Sequence, residues 1–459
     1  MTTVGARPIL LSAVETTKSW GSEHWLNAAL PDASSTVRSE PGRPTLAGVL
    51  ADDPSRLGPW ARALFGDQLP IFTKLLRADF PPFVHVGFSR AVARETLVCW
   101  LSREQAALRQ LLGLVEVPTR AAFDELSQIY SAWATRQAVE KWQLIDEHSL
   151  ADRLARFLRP GAEPRLVATL RQLRQNRAQI VDVLNEVSLR REAGHLLLTP
   201  AGLVHSIFGL SHQTHPLDRV RPTLESLLGN LRRLAVAGVS DAELHALVRE
   251  ADLPALRASH LKPPKNEAWL PVMHDGRVML VEPQQSSDTT YSLADFYTPF
   301  VWAGDRMRFR KGDASFGLSS AELALQLNDV DLSVTSLERI RRVPTRVPSV
   351  SSHDAILFRL VDDPASWPFF TAYQLDLSGR SGAPARYSGD HPRGVFQQLV
   401  VLSGEVELLD AHGHRDRLTP LEPAFIPATL TGGYQLVADG AARVLLFSVP
   451  GPYKGVPDQ

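Results

Sequence analysis

The residues best suited to chemistry lie in one polar stretch, residues 281–296, which reads VEPQQSSDTTYSLADF. It places a glutamate, two glutamines, two aspartates and several hydroxyl side chains together between apolar segments. Carboxylates can transfer protons, and amides and hydroxyl groups donate and accept hydrogen bonds. Upstream, residues 194–207 read GHLLLTPAGLVHSI and contain His205 near their end. These are side chains of the types that bind polar ligands and move protons.

The elements that must position these residues read mainly as strands. Residues 1–101 contain short apolar runs between turn residues, which read as buried strands or short helices, and residues 194–210 and 268–302 are strand-like. Residues 341–349, RRVPTRVPS, have the prolines and charges of a linker or a domain-edge strand.

Two other stretches read as helices. In residues 102–192, apolar side chains recur at steps of three and four, for example Phe123, Leu126, Tyr130 and Trp133. Residues 217–258 show the same period and a capping box that begins at Ser240.

Residues 355–448 are short β segments separated by turn signals, and Val406, Glu407 and Leu408 alternate as in a half-buried strand. His412 and His414 fit a hairpin turn between two such strands. This spacing is typical of a sandwich or barrel, which includes the cupin jelly roll. Because two β-rich regions flank helical stretches, the chain is predicted to be mainly β with α insertions.

The two polar segments together resemble the core of the type I phosphomannose isomerases, also called mannose-6-phosphate isomerases, of the cupin superfamily. The core of that family reads roughly GD-x3-VP-x-GT-x-HA and then E-x-QQ-x-SD-x-TYR, and most polar letters of the second motif occur here in order. Weaker similarity follows in family order at residues 69–88, 95–101 and 395–448.

This resemblance implies two tandem cupin domains, each a double-stranded β-helix or jelly roll, with helical inserts. Residues 1–101 and 193–340 would form an N-terminal metal-binding cupin of the catalytic type. Residues 102–192 would be a helical insertion, and residues 217–258 a second one within the first cupin. Residues 341–459 would form the C-terminal cupin.

The resemblance also implies one Zn²⁺ ion per chain. Three positions that match the family's ligands can coordinate a metal, His85, Glu95 and His205, whereas Phe83 stands at the position of the glutamine ligand. Two imidazoles and one carboxylate are the ligand set of a catalytic zinc, which keeps a position open for water or substrate. His85 and Glu95 are close enough in sequence to be expected on neighbouring strands of one barrel.

The implied reaction interconverts mannose 6-phosphate and fructose 6-phosphate through a cis-enediol. Glu282 and Lys74 take the catalytic positions, with Glu282 or a metal-bound water transferring the proton. Gln284, Arg94 and Ser292 line the sugar-phosphate pocket.

Ser292 departs from the family, which has an arginine at this position. Losing one preorganised cation costs roughly 2–4 kcal/mol of transition-state stabilisation. Arg306, Arg308 and Arg310 share one face of a predicted strand. They are either a replacement cation or a solvent-facing basic edge.

The changes at Phe83 and Ser292 leave two alternatives open. The chain could be a degenerate, non-catalytic cupin that binds a sugar or a partner protein, with an exposed aromatic patch on residues 123–157 as its working surface. It could also keep the metal and act on another substrate.

The composition bears on the class of binding partner. The chain of 459 residues has a net charge of −1 and a pI near 6.9, which give no electrostatic reason to expect binding to nucleic acid or an anionic membrane. Neither a membrane-spanning run nor a signal peptide is expected. The single cysteine, Cys99, lies in an apolar run, is predicted to be buried, and fits a cytoplasmic protein. The oligomeric state stays open.

Overall fold

The structure is a computed structural model. It describes residues 7–18, 21–31, 33–38, 42, 44–78, 82–88, 90–139, 147–185, 194–200, 203–209, 229, 232–233, 266–274, 277–286, 300–309, 340–380, 382–389 and 394–451. In parts of this range, including the strands that carry His85 and His205, only the backbone is described.

Fourteen strands of the described chain lie before residue 310. In chain order they are β1 Ile9–Ser12, β2 Val14–Lys18, β3 Gly21–Trp25, β4 Ala29–Leu30, β5 Ala33–Ser34, β6 Thr36–Val37, β7 Ile71–Ala78, β8 Pro82–Phe88, β9 Leu196–Thr199, β10 Val204–Gly209, β11 Glu267–His274, β12 Arg277–Gln285, β13 Phe300–Ala303 and β14 Arg306–Phe309.

Eleven strands follow from residue 341 onward. They are β15 Arg341–Arg342, β16 Thr345–Arg346, β17 Ala355–Val361, β18 Thr371–Ser378, β19 Ala385–Gly389, β20 Gln397–Ser403, β21 Val406–Asp410, β22 Arg415–Leu418, β23 Pro423–Ile426, β24 Tyr434–Ala438 and β25 Ala441–Ser448.

Seven α-helices are described, most of them between strands β8 and β9. They are α1 Leu46–Asp52, α2 Pro59–Phe65, α3 Arg90–Cys99, α4 Gln105–Leu114, α5 Arg120–Val139, α6 Glu147–Leu154 and α7 Glu163–Asn185. A π-helical turn, Trp100–Glu104, joins α3 to α4. No helix in the described part of the chain is long and apolar enough to cross a membrane.

A seven-stranded antiparallel sheet is built mainly from the first half of the chain, in the order β15-β9-β11-β12-β7-β3-β2. Its central strands β7 and β12 read IFTKLLRA and RVMLVEPQQ, and both of their faces are largely buried. Leu75, Val281 and Leu270 are cross-strand neighbours on one face. That face belongs to the main hydrophobic core of the molecule.

An eight-stranded antiparallel sheet lies on the other side of that core, in the order β16-β17-β18-β25-β20-β23-β1-β6. Its residues Val400, Phe425 and Phe447 are in the same core cluster as Leu75 and Val281. A hydrogen bond from Gln398 Nε2 to the carbonyl of Ile71 (2.9 Å) links the two sheets directly. A second core cluster packs the eight-stranded sheet against the four-stranded sheet β19-β24-β21-β22.

Residues 341–346 carry the chain from one large sheet to the other. Arg341–Arg342 forms an edge of the seven-stranded sheet, and Thr345–Arg346 forms an edge of the eight-stranded sheet. Of the two alternatives for this segment, a linker or a domain-edge strand, the structure shows short strands at sheet edges, and the domain boundary here stays a prediction.

The helices form a separate apolar cluster. Helices α4 to α7 pack around Tyr130, Trp133 and Leu170, and the hairpin β13–β14 joins them through Phe300. Helix α5 also contacts β10, the strand of His205. The helical cluster thus lies beside the two-stranded ribbon β8–β10.

The prediction of a mainly β chain with α insertions is confirmed by these sheets and helices. The predicted helices of residues 217–258 lie outside the described residues, apart from helical positions 229, 232 and 233. The tandem cupin arrangement and its domain boundaries stay predictions.

Candidate functional site

The candidate site is a group of polar side chains on one face of the seven-stranded sheet. Lys74 on β7 is the cross-strand partner of Glu282 on β12. Two residues further along β12, Gln284 is the cross-strand partner of Glu267 on β11. Glu267 in turn is paired with Thr199 on β9. Directly opposed residues in a sheet point to the same side, and so do alternate residues of one strand. We call Lys74, Thr199, Glu267, Glu282 and Gln284 the polar face.

The polar face is almost fully removed from solvent. Lys74 is 4 % exposed, Glu282 5 %, Glu267 2 %, Thr199 1 % and Gln284 0 %. Burying charged groups costs free energy unless they meet opposite charges or hydrogen-bonding partners. The register sets Lys74 directly across from Glu282, so opposite charges occupy neighbouring positions on this face. The same groups can bind and react with a polar ligand.

Two aromatic rings flank the lysine. The Lys74 ammonium lies 4.9 Å from the ring centroid of Trp25 and 5.7 Å from that of Phe72. Trp25 is the cross-strand partner of Lys74 on the side opposite Glu282. The electron-rich faces of these rings stabilise the cation and limit its movement. The Lys74 ammonium is therefore a buried cation whose position these two rings restrict.

Gln285 holds the register that brings Glu267 into the polar face. Its side-chain oxygen accepts hydrogen bonds from the backbone N–H of Asn266 (3.0 Å) and from Asn266 Nδ2 (2.8 Å). The backbone N–H of Gln285 donates to the carbonyl of Asn266 (3.0 Å). This connection closes the end of the β11–β12 ladder beside the Glu267–Gln284 pair.

Glu267 and Thr199 were not predicted as site residues. Glu267 begins the strand EAWLPVMH, which carries no recognised motif, and Thr199 ends the apolar strand LLLT. Only the pairing of β9 and β11 with β12 brings them beside Gln284.

The predicted histidine ligands lie on paired strands. His85 on β8 is opposite Ser206 on β10, and the register shifts at the neighbouring residue, His205. Strand β8 also contacts β12, which carries Glu282 and Gln284. The structure thus brings the backbones of the two histidines together on paired strands, one of which contacts β12, whereas their side chains lie outside the described part.

Glu95 is placed differently from the prediction. It lies in helix α3 and not on a strand next to that of His85, so of the two alternatives for this run, strand or short helix, the helix is observed. A short apolar run such as ETLVCWL does not distinguish strand from helix, and the preceding RAVAR extends the helical period. Helix α3 nevertheless contacts β8, the strand of His85.

The described neighbours of the Glu95 carboxylate are two arginine side chains. Its Oε1 accepts a hydrogen bond from Arg94 Nη1 (3.0 Å) and lies 3.5 Å from Arg232 Nε. One guanidinium group is hydrogen-bonded to this oxygen and a second lies 3.5 Å away, so the described charges around Glu95 oppose the approach of a further cation. The role of Glu95 as a zinc ligand stays a prediction. Within the described residues, no three His, Cys, Asp or Glu side chains are arranged to hold a metal ion.

The remaining predicted cation positions are scattered. Ser292 and Arg310 lie outside the described residues, as does the side chain of Arg308. Arg306 is exposed in the hairpin that packs on the helical cluster. This agrees with a solvent-facing basic edge. Of the described cations, Lys74 is the one on the polar face.

The aromatic patch expected of a partner-binding surface is buried. Phe123, Tyr130, Trp133 and Phe157 are 7 %, 1 %, 1 % and 5 % exposed and form the interior of the helical cluster. Trp142 lies outside the described residues. These four rings hold the helices together.

Comparison with known proteins gives structural likeness only. No family model and no curated protein matches the sequence. The mannose 6-phosphate isomerase from Bacillus subtilis overlaps 96% of this chain and 99% of its own, with 13% identity and a TM-score of 0.42. The enzyme from Salmonella typhimurium, solved with fructose 6-phosphate and zinc, overlaps 97% of this chain and 100% of its own, with 14% identity and a TM-score of 0.39. Such low TM-scores carry no argument about the site or activity of this chain.

Proposed function

We propose that this protein binds a sugar phosphate at the polar face and interconverts its aldose and ketose forms, with mannose 6-phosphate and fructose 6-phosphate as the pair. The observation that carries the proposal is the buried cross-strand pair of Lys74 and Glu282, in the motif that resembles the phosphomannose isomerases. The tandem cupin fold and a cytoplasmic location belong to the same proposal.

Glu282 is the proposed base. Its carboxylate takes the proton from C2 of the aldose while the C1 carbonyl oxygen gains a proton, which produces a cis-enediol. Glu282 then returns its proton to C1 as the O2 hydroxyl loses its proton, and the ketose results. A positioned acid–base group of this kind contributes about 10²–10⁴ in rate.

Lys74 supplies positive charge where the enediol oxygens become negative. Its ammonium lies across from Glu282 and is held between two aromatic rings. A cation that is already in place needs no reorganisation during the reaction, so it stabilises the transition state effectively. In this proposal Lys74 does the electrostatic work of the family arginine that Ser292 replaces.

Glu267 and Gln284 complete the site. Gln284 can donate to and accept from sugar hydroxyls, and Glu267, its cross-strand partner, can carry the hydroxyl proton between O1 and O2. The buried location of both keeps water away from the enediol.

No step is assigned to zinc. The expected zinc ion would be held by His85, Glu95 and His205, with the arginines beside Glu95 opposing it. Metal analysis of the purified chain, with His205→Ala as the comparison, tests it independently of turnover.

The test of the proposed function is a coupled assay of mannose 6-phosphate conversion by the full chain. Glu282→Gln should lower turnover by about 10²–10⁴ while the substrate still binds. Glu116→Gln, an exposed glutamate in the loop after α4, is the matched control and should leave turnover unchanged. Absence of turnover in the wild-type chain, with and without added zinc, would refute the isomerase.

A second candidate function is a non-catalytic sugar-phosphate-binding cupin. The pairing of Glu95 with two arginines favours it, since a predicted metal ligand is then part of an ion-pair cluster. Under this alternative the polar face binds the ligand without converting it. Calorimetric binding of fructose 6-phosphate without turnover, lost in Lys74→Met, would support it.

A further inference from the structure

Glu23, Trp25 and Lys74 are connected side chain to side chain across strands β3 and β7. The indole N–H of Trp25 donates a hydrogen bond to Glu23 Oε2 (3.0 Å), and the Lys74 ammonium lies 4.9 Å from the centroid of the same indole. Trp25 and Lys74 are cross-strand partners, and Glu23 comes two residues before Trp25 in β3, so all three side chains lie on one face of the sheet. Glu23 was not among the predicted site residues.

The hydrogen bond to Glu23 orients a ring that packing alone would hold less firmly. Trp25 packs on Phe72, with ring centroids 5.4 Å apart and planes at 43°, and on Ala28. The torsion that turns an indole about its Cβ–Cγ bond has broad preferences, and apolar contacts are compatible with a range of ring orientations. A directional bond to the edge that carries the N–H selects one of them. The face that Trp25 presents to Lys74 therefore depends on Glu23.

The charges of the two outer residues act in the same direction. A carboxylate acceptor makes the hydrogen bond of the indole N–H charge-assisted. The negative charge polarises the indole so that its ring face attracts a cation more strongly. The order along the connection is thus anion, ring and cation, and on its other side Lys74 lies across from Glu282.

We propose that Glu23 is a positioning residue, which fixes the indole of Trp25 and through it holds the Lys74 ammonium where the enediol oxygens become negative. This inference rests on the proposed function, because Lys74 stabilises an enediol only if the chain is an isomerase. Glu23 and Trp25 do not touch the sugar phosphate in this arrangement. Their loss should therefore lower kcat and leave KM nearly unchanged.

The first measurement is the steady-state turnover of mannose 6-phosphate by the full chain. Glu23→Ala should lower kcat by about tenfold, because a preorganised charge loses its fixed position. Glu23→Gln keeps a side-chain oxygen for the indole N–H and should lose only about threefold or less. Glu15→Ala is the matched control. Glu15 is an exposed glutamate of β2 whose neighbour, His24, points to the opposite side of the sheet from Trp25, so kcat should not change.

Combined substitutions test whether Glu23 acts through the other two residues. Glu23→Ala added to Trp25→Phe should lower kcat no further than Trp25→Phe alone, since either change removes the same hydrogen bond. Glu23→Ala added to Lys74→Met should likewise have no further effect, because the cation that it positions is gone. Additive losses in the Lys74→Met chain would overturn the positioning role and leave the isomerase standing, as would a Glu23→Ala chain with unchanged kcat. Because Glu23 is half-buried, its variants are expected to fold even where Trp25→Phe does not.

A second measurement does not depend on turnover. The chain has nine tryptophans, and fluorine NMR of the fluorotryptophan-labelled protein identifies the Trp25 signal by its absence from Trp25→Phe. This signal should shift in both Glu23→Ala and Lys74→Met and should stay in place in Glu15→Ala. A Trp25 signal that ignores either of the first two substitutions overturns the connection. A wild-type chain that shows both shifts but no turnover supports the connection between the three side chains and refutes the isomerase.

Discussion

At the scale of single residues, the most specific prediction concerns the pair of Lys74 and Glu282. Each residue was predicted from its motif, but their opposition across β7 and β12 comes from the sheet register. Lys74→Met keeps much of the apolar stem and removes the charge, leaving Glu282 without the ammonium across from it.

We expect Lys74→Met to lower the turnover of mannose 6-phosphate by about 10²–10³. It should also weaken the binding of fructose 6-phosphate, since the polar face loses its cation. The double variant Lys74→Met with Glu282→Gln should be no less stable than Lys74→Met alone, because the second change removes the carboxylate left without its counter-charge. Additive losses of unfolding free energy in urea denaturation would contradict the coupling.

The burial of Cys99 was predicted correctly from the sequence. It is fully buried in α3, and burial together with the nearby charge of Glu95 raises the pKa of its thiol to about 12. At pH 8 almost no thiolate is present, and the thiolate is the reactive form. The folded chain should therefore react with a thiol reagent only in 6 M guanidinium chloride. Rapid labelling of native protein would show that Cys99 is accessible.

At the scale of elements, the end of the β11–β12 ladder decides which residues form the polar face. Gln285→Ala removes two hydrogen bonds to Asn266 and should destabilise the fold by about 1–3 kcal/mol in urea denaturation. It should also reduce sugar-phosphate affinity, because the Glu267–Gln284 pair is next to this closure. Gln172→Ala, an exposed position of α7, is the control. Equal effects of both substitutions would contradict the proposed closure.

The β21–β22 turn gives a pH-dependent prediction. The Asp410 carboxylate accepts hydrogen bonds from the backbone N–H groups of His412 and His414 (both 2.9 Å) and contacts His414 Nδ1 at 2.8 Å. Burial opposes its ionisation, but the His414 side chain and the two N–H groups outweigh this and hold the pKa of Asp410 below its usual value. A lowered carboxyl pKa stabilises the fold above the ordinary value near 4, and this stabilisation is lost as pH falls through the folded-state pKa.

Asp410→Ala should accordingly lose about 1–3 kcal/mol of stability at pH 7. The difference from wild type should shrink as pH falls below about 4. Asp439→Ala, at an exposed position, should show little difference at either pH. A loss for Asp410→Ala that is independent of pH would exclude ionisation of Asp410 as its cause. The hairpin turn itself was predicted from the spacing of the two histidines and is confirmed.

At the scale of the whole molecule, strand β1 joins the beginning of the chain to its far end. Ile9 and Leu10 pair with Phe425 and Ala424 of β23, and Leu11 is buried in the core shared by the two large sheets. Because this core contains residues from both halves of the chain, the two sheets should unfold together.

Leu11→Ala should cost about 2–5 kcal/mol and shift a single thermal transition. Leu64→Ala, at a side chain that is 53 % exposed, should leave the transition in place. Two resolved transitions, of which Leu11→Ala moves one, would show that the halves fold independently.

The sequence by itself determined the broad class: strands flanking helices, a buried cysteine, an edge strand near residue 341 and the polar residues of the 281–296 stretch. Such features depend on local period, on turn residues and on composition, which are present in short windows of sequence. The tertiary structure alone decided that Glu267 and Thr199 join Lys74 and Glu282, that Glu95 lies on a helix between two arginines, and that β1 pairs with β23. The physical reason is that register, burial and charge pairing depend on residues that are distant in sequence. A short apolar run therefore does not predict which strand it pairs with or which charges lie beside it.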